Sequence, residues 1–241
     1  MIKITIFNEY KHEQCKKEAI DVYPEGIHNT LKGFLESDEI SVRCATLFDE
    51  NLEVKEDIGL SDEILSDTDV LIWWGHMAHN HVPDDVVERC HKHIIEGMGA
   101  IFLHSAHHSK LFKKLMGTTC NLKWREPSKE RLWNINPSHP IMKGIPETFD
   151  IEVEEMYGER FDIPTPDELL MLASFDGHEV FRSACTWQRG YGKIFYFQPG
   201  HETNPTFYIP EVQTIIKNAV NWVNPSFRQS FGAPLYGKIE M

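Results

Sequence analysis

Asp69-Val70-Leu71-Ile72-Trp73-Trp74-Gly75-His76-Met77-Ala78-His79 is the stretch that decides the fold. A short apolar run stops at a glycine and gives way to two histidines. Apolar runs of this length, bounded by turn residues, read as buried strands rather than helices. The same form recurs at residues 2–7, 42–47, 100–104, 169–174 and 194–198. Helical patterns follow most of them. Val212, Ile215, Ile216, Ala219, Val220 and Val223 repeat at helical spacing before Pro225. Pro83 opens another helix, with Val86, Val87, Cys90 and Ile94 as its inner stripe. Ile27, Leu31, Phe34 and Leu35 mark a third, and Leu111 to Met116 a short fourth closed by Gly117. Strands alternating with helices predict an α/β domain with a mainly parallel sheet. Arg189-Gly190-Tyr191-Gly192 predicts a hairpin turn. Prolines 127, 137, 140, 146, 164 and 166 punctuate the rest, so a loosely structured insertion is expected over about 120–168 within one domain spanning 1–241.

Composition narrows the function. The 241 residues carry 24 Lys plus Arg against 37 Asp plus Glu, a net charge of −13. Such a surface repels phosphate backbones and anionic lipid, so neither nucleic acid nor membrane is an expected partner. No Walker or dinucleotide motif is present, and no nucleotide cofactor is expected. The five cysteines, at 15, 44, 90, 120 and 185, are odd in number and widely spaced. They predict neither a disulfide framework nor a cysteine zinc finger; Cys44, Cys90 and Cys185, among apolar residues, read as small buried side chains, and a reducing compartment is expected. The chain opens on a strand pattern without a signal peptide, and no stretch is long enough to span a bilayer. A cytoplasmic protein is the expectation; nothing in the sequence marks a homo-oligomer interface.

In an open parallel sheet, ligands bind beyond the carboxyl ends of the strands. Eight of the 13 histidines (12, 76, 79, 81, 104, 107, 108 and 201) fall in the turns after four expected strands. Neutral imidazole ligates zinc and similar divalent metals and moves protons near neutral pH. His76 and His79 from one loop, with His104 or His201 from others, make a candidate metal set, zinc being the expected ion. Glu202 is a candidate ligand, imidazole orienter or base. Ser105 is a candidate nucleophile, but Leu103-His104-Ser105-Ala106-His107 lacks the glycines of a nucleophile elbow, so a helix N-cap is the expected role. Of Trp73 and Trp74, one is expected in the core and the other under a sugar ring. The acidic cluster Glu152, Glu154, Glu155 and Glu159 reads as a solvated face.

Taken together, several segments resemble the trehalose-utilisation (ThuA-like) family, a branch of the class I glutamine amidotransferase-like superfamily. They are Asn8-Glu9-Tyr10-Lys11-His12-Glu13, Tyr23-Pro24-Glu25-Gly26-Ile27-His28, Trp73 to His79, Leu103-His104-Ser105-Ala106, Glu154-Glu155-Met156-Tyr157-Gly158-Glu159, Phe181-Arg182-Ser183 with Arg189-Gly190, and Phe195-Tyr196-Phe197-Gln198-Pro199-Gly200-His201-Glu202. The resemblance implies a flavodoxin-like three-layer sandwich with helices on both faces. It implies a role in disaccharide breakdown, on trehalose-like or oxidised sugars. It also places His104 where amidotransferases carry a nucleophilic cysteine, and His201 and Glu202 are adjacent where that superfamily spaces them by one residue. Glutamine hydrolysis is therefore not expected. The resemblance raises Glu155 and Tyr157 to site candidates beside His104, His201 and Glu202. Asn8, Glu9, His12 and Trp74 are read as contacts to a carbohydrate or keto-sugar substrate. Two other readings stay open: a non-catalytic sugar-binding or regulatory module on a degenerate scaffold, and a serine hydrolase using Ser105.

Overall fold

All six apolar runs are strands in the computed structural model, which describes residues 1–229. In chain order the elements are β1 (Ile2–Asn8), α1 (His12–Cys15), α2 (Lys17–Val22), α3 (Ile27–Leu35), β2 (Ile40–Thr46), α4 (Asp62–Ser66), β3 (Val70–Trp74), α5 (Asp84–Ile95), β4 (Gly99–Leu103), α6 (Lys110–Met116), β5 (Lys123–Asn134), β6 (Thr148–Gly158), β7 (Glu168–Phe175), β8 (Val180–Arg189), β9 (Gly192–Phe197) and α7 (Pro210–Val223). Among these residues no helix is long and apolar enough to cross a membrane.

The nine strands form one sheet in the order β2-β1-β3-β4-β9-β8-β7-β5-β6. The first five are parallel, in the 2-1-3-4-5 order of flavodoxin-like folds. The other four continue the sheet antiparallel, so the sheet is mixed. Every residue of β3 and β4 is buried, as strands covered on both faces require. The chain moves one way from β1 to β2 and the other way through β3 to β4. Right-handed crossovers therefore put α3 on one face and α4 and α5 on the other. Ser61 caps α4 and Ser109 caps α6, each hydroxyl accepting a backbone N–H three residues on. Gly117 closes α6 in the left-handed region.

The expected loose insertion at 120–168 is corrected. It holds β5 and β6, the two longest strands, paired to each other and through β7 to the sheet. β5 carries alternating exposed and buried residues, and β6 lies at the sheet edge. Their charged outer faces hide them from a search for apolar runs. Pro127 sits where the β5–β6 register shifts, between Arg125 and Ser128. The expected end of the domain at 241 lies outside the described residues.

Candidate active site at the carboxyl edge of the sheet

The parallel strands β1, β3, β4 and β9 release their loops at one edge. β6 runs in the same direction through its alternating antiparallel neighbours, so Glu154, Glu155 and Tyr157 arrive at that edge too. β5, running oppositely, begins there.

Two buried glutamates shape the histidine loops. The Glu9 carboxylate accepts N–H bonds from His76, Met77 and Ala78 at 2.8–3.1 Å. Successive N–H groups converging on one carboxylate hold this loop curled at the end of β3. Glu154 does the same for the loop after β9. It accepts from the backbone of Gly200 (2.9 Å) and His201 (3.2 Å), from Asn204 Nδ2 (3.2 Å) and from Thr206 Oγ1 (2.6 Å). Gly200 has φ +135°, and a Cβ there would collide with Phe207, so glycine is needed where the chain turns into His201 and Glu202. The Gly200 carbonyl accepts the Trp74 indole N–H at 3.0 Å.

Within this frame the imidazoles meet. Ring centroids of His76 and His201 are 4.9 Å apart, His104 and His201 5.4 Å, and His76 and His104 6.1 Å. Glu202 Oε1 lies 2.6 Å from His12 Nδ1 and 2.9 Å from His76 Nδ1, which turns the Nε2 edge of both rings away from it. Thr203 Oγ1 engages His201 Nδ1 at 2.8 Å. His104 carries a φ of +53°, uncommon for a residue with a side chain, at the strand-to-helix turn. Its Nδ1 donates to the Gln198 carbonyl at 2.8 Å, and its Nε2 lies 2.9 Å from Glu155 Oε2 and 3.4 Å from the Tyr157 hydroxyl.

These contacts set the charges. Burial opposes a proton on His104, but the Glu155 carboxylate outweighs it and holds the imidazolium up to about 9. Burial would raise Glu155, yet His104 keeps it below the usual carboxylate range. Glu202 is likewise held well below that range, its burial overcome by His12 and His76. Burial pushes His201 down and keeps the Tyr157 phenol protonated.

A cavity of about 430 Å³ opens beside this cluster, lined in its depth by His76, Ser105, Glu155 and Tyr157. Two groups bring ligand atoms within 4.8 Å of one another: His12, His76 and Glu202, and His76, Glu155 and His201. In the first, the imidazoles are already bonded to the carboxylate. In the second, Glu155 Oε2 lies 2.9 Å from His104 Nε2, and His201 Nε2 lies 3.3 Å from Glu126 Oε1 and 3.5 Å from Glu202 Oε2. Two imidazoles and a carboxylate are a known donor set for catalytic zinc.

The structure brings His12, His76, His104, Glu155, Tyr157, His201 and Glu202 together. His79 lines the cavity but pairs with His108, ring centroids 5.8 Å apart, and belongs to neither group; burial pushes it down to about 3. His81 packs by Phe48, and His107 donates to the Cys120 carbonyl among aromatic rings. Trp73 and Trp74 are both fully buried, so Trp74 does not floor a sugar site. Asn8 is enclosed and bonded to Glu13 (2.7 Å) and His28 (3.0 Å), and Glu9 is spent on its loop, so neither faces the cavity. Glu154 and Glu155 are buried, not solvated. The N-cap of α6 is Ser109; Ser105 Oγ instead meets the Tyr157 hydroxyl at 3.0 Å, and no imidazole accepts its proton among the described residues. Composition and run-finding missed Lys16, Asn121, Trp124 and Glu126 on the cavity wall. Lys123-Trp124-Arg125-Glu126, a single aromatic among charges, carries no periodic signal that marks a strand.

The sequence profile of ThuA, described as trehalose utilisation, matches residues 3–223. The fold is similar to that of a ThuA-like protein from Parabacteroides merdae, with TM-score 0.69 and 16% identity over 94% of this chain and 91% of that one. A ThuA-like protein from Bacteroides uniformis gives TM-score 0.66 and 18% identity over 92% and 91%. A cytoplasmic protein from Salmonella typhimurium LT2 gives 0.61 and 13% over 92% and 100%. No curated protein matches the chain.

Proposed function

The chain belongs to the trehalose-utilisation (ThuA) family, and from that premise we propose that it is an enzyme acting on a disaccharide or keto-sugar derivative in the cavity beside Glu155 and Tyr157. The observation that carries this reading is the meeting of His76, Glu155 and His201, with ligand atoms within 4.8 Å of one another, beside a cavity that His76 and Glu155 line. A surface that only bound a sugar would have no need of so many buried titratable groups, which cost free energy to maintain.

Glu155, His76 and His201 fit a divalent ion, zinc by donor chemistry. Such an ion supplies polarisation of a carbonyl oxygen or activation of water. Glu202 orients His76, as carboxylates orient ligating imidazoles. His104, cationic and fully buried, holds the Glu155 carboxylate in place. Tyr157 keeps its proton and presents it to a substrate oxygen that gains negative charge. This set serves isomerisation, elimination or hydrolysis at a sugar carbonyl or anomeric carbon.

The test is turnover of trehalose carrying one ring ketone, followed by mass spectrometry, in wild type, Glu155→Gln and Tyr157→Phe. Conversion by wild type with at least a hundredfold loss in Glu155→Gln and a smaller loss in Tyr157→Phe is expected. Conversion unchanged in Glu155→Gln, or absent from wild type, contradicts the proposal.

A further inference from the structure

Trp124, near the start of β5, is 65% exposed and forms part of the cavity wall. Side chains alternate along a strand, so Trp124 and Glu126 share one face and both line the cavity. Arg125 points the other way, where Glu179 receives it at 2.8 and 2.9 Å. That bidentate pair fixes the orientation of the strand and hence of the indole. In register, Trp124 stands directly opposite Tyr157 of β6. Directly opposed residues in an antiparallel pair project to the same side, with Cβ atoms about 5 Å apart. Tyr157 reaches inward to His104 and Ser105. The indole therefore sits one side chain outward from the groups that would do chemistry, on the same wall.

The wall around it is mixed: Lys16, Asn121 and Glu126 are polar, and Met77 and Leu122 are apolar. Glu126 Oε1 is 3.3 Å from His201 Nε2, which ties this wall to the inner cluster. Lys16 is the only lysine or arginine on the described wall, and its Nζ is 3.9 Å from Glu202. A flat aromatic face with carboxylate, amide and ammonium groups on the same wall suits a sugar ring, apolar on its C–H face and hydroxylated at its edge.

We propose that Trp124 is the platform of a second sugar subsite and selects the outer ring of the substrate. The substrate would lie with its reacting ring beside Glu155 and Tyr157 and its other ring stacked on the indole. Asn121, Glu126 and Lys16 bond the hydroxyls of that outer ring. This inference rests on the carbohydrate reading above and adds to it the residue that selects for the outer ring.

Calorimetric titration tests it, with trehalose and ring-ketone trehalose as two-ring probes and glucose as the one-ring probe, on wild type, Trp124→Ala and Trp124→Phe. Wild type is expected to bind a two-ring probe more tightly than glucose. Trp124→Ala should weaken that binding about tenfold while leaving glucose unchanged, and Trp124→Phe should recover most of the loss. Equal two-ring binding in wild type and Trp124→Ala overturns the subsite and leaves the carbohydrate reading standing. Equal affinity of wild type for one ring and two does the same. Wild type that binds none of the three sugars overturns the carbohydrate reading along with the subsite.

Discussion

His28 shows how one side chain ties this fold to pH. It is buried near the end of β1, where the Asn8 amide donates to its Nδ1 at 3.0 Å. Burial, with Lys55 nearby, pushes it down to about 4. The folded protein thus keeps His28 neutral where the unfolded chain, titrating near 6.5, takes up a proton. Its contribution is present above pH 6.5 and is lost as pH falls toward 4. Between pH 7 and 4.5 this is worth roughly 2 kcal/mol. Urea unfolding at both pH values should show a difference smaller by about that much in His28→Gln than in wild type; an identical difference would contradict the assignment. The residue scale is also where sequence reading was weakest. Trp74 and Asn8 have the right chemistry for sugar binding, but burial decides whether a side chain faces a ligand, and burial at a strand end depends on what the next loop covers. Glu9 reads as a sugar contact and Glu154 as a surface acid until the N–H groups they accept are in view.

At the scale of elements, the loops after β3 and β9 owe their shape to carboxylates delivered by β1 and β6. Removing the Glu9 side chain leaves three buried or half-buried N–H groups without acceptors, at a cost of about 2–4 kcal/mol. Glu9→Ala should therefore lower the unfolding midpoint and speed amide exchange at residues 76–78 well beyond the change elsewhere. Uniform exchange across the chain would show that the loop does not depend on Glu9. The parallel strands were legible because burial on both faces makes them apolar throughout. β5 and β6 were not, because one face of each meets solvent and their pairing partners are far along the chain. The consequence reached the site: Glu155, Tyr157 and Trp124 all stand on those two strands, and the first two were found through the family resemblance alone.

Across the whole molecule, the flavodoxin-like strand order reverses between β1 and β3, and the cluster forms beyond that reversal and the adjoining ends of β4 and β9. This much followed from the histidine turns, since parallel strands must present their carboxyl ends together. What did not follow was which histidines converge, because His79 and His107 leave the same turns as His76 and His104 and reach the cavity wall but neither ligand group. The account turns on His76, Glu155 and His201 acting as one ligand set. The most direct measurement is zinc content by elemental analysis, after zinc loading and desalting, of wild type, His76→Ala, His201→Ala and His79→Ala. One zinc per chain is predicted in wild type and His79→Ala, with loss from His76→Ala and His201→Ala. Zinc retained in both of those variants, lost from His79→Ala, or absent from wild type would contradict it.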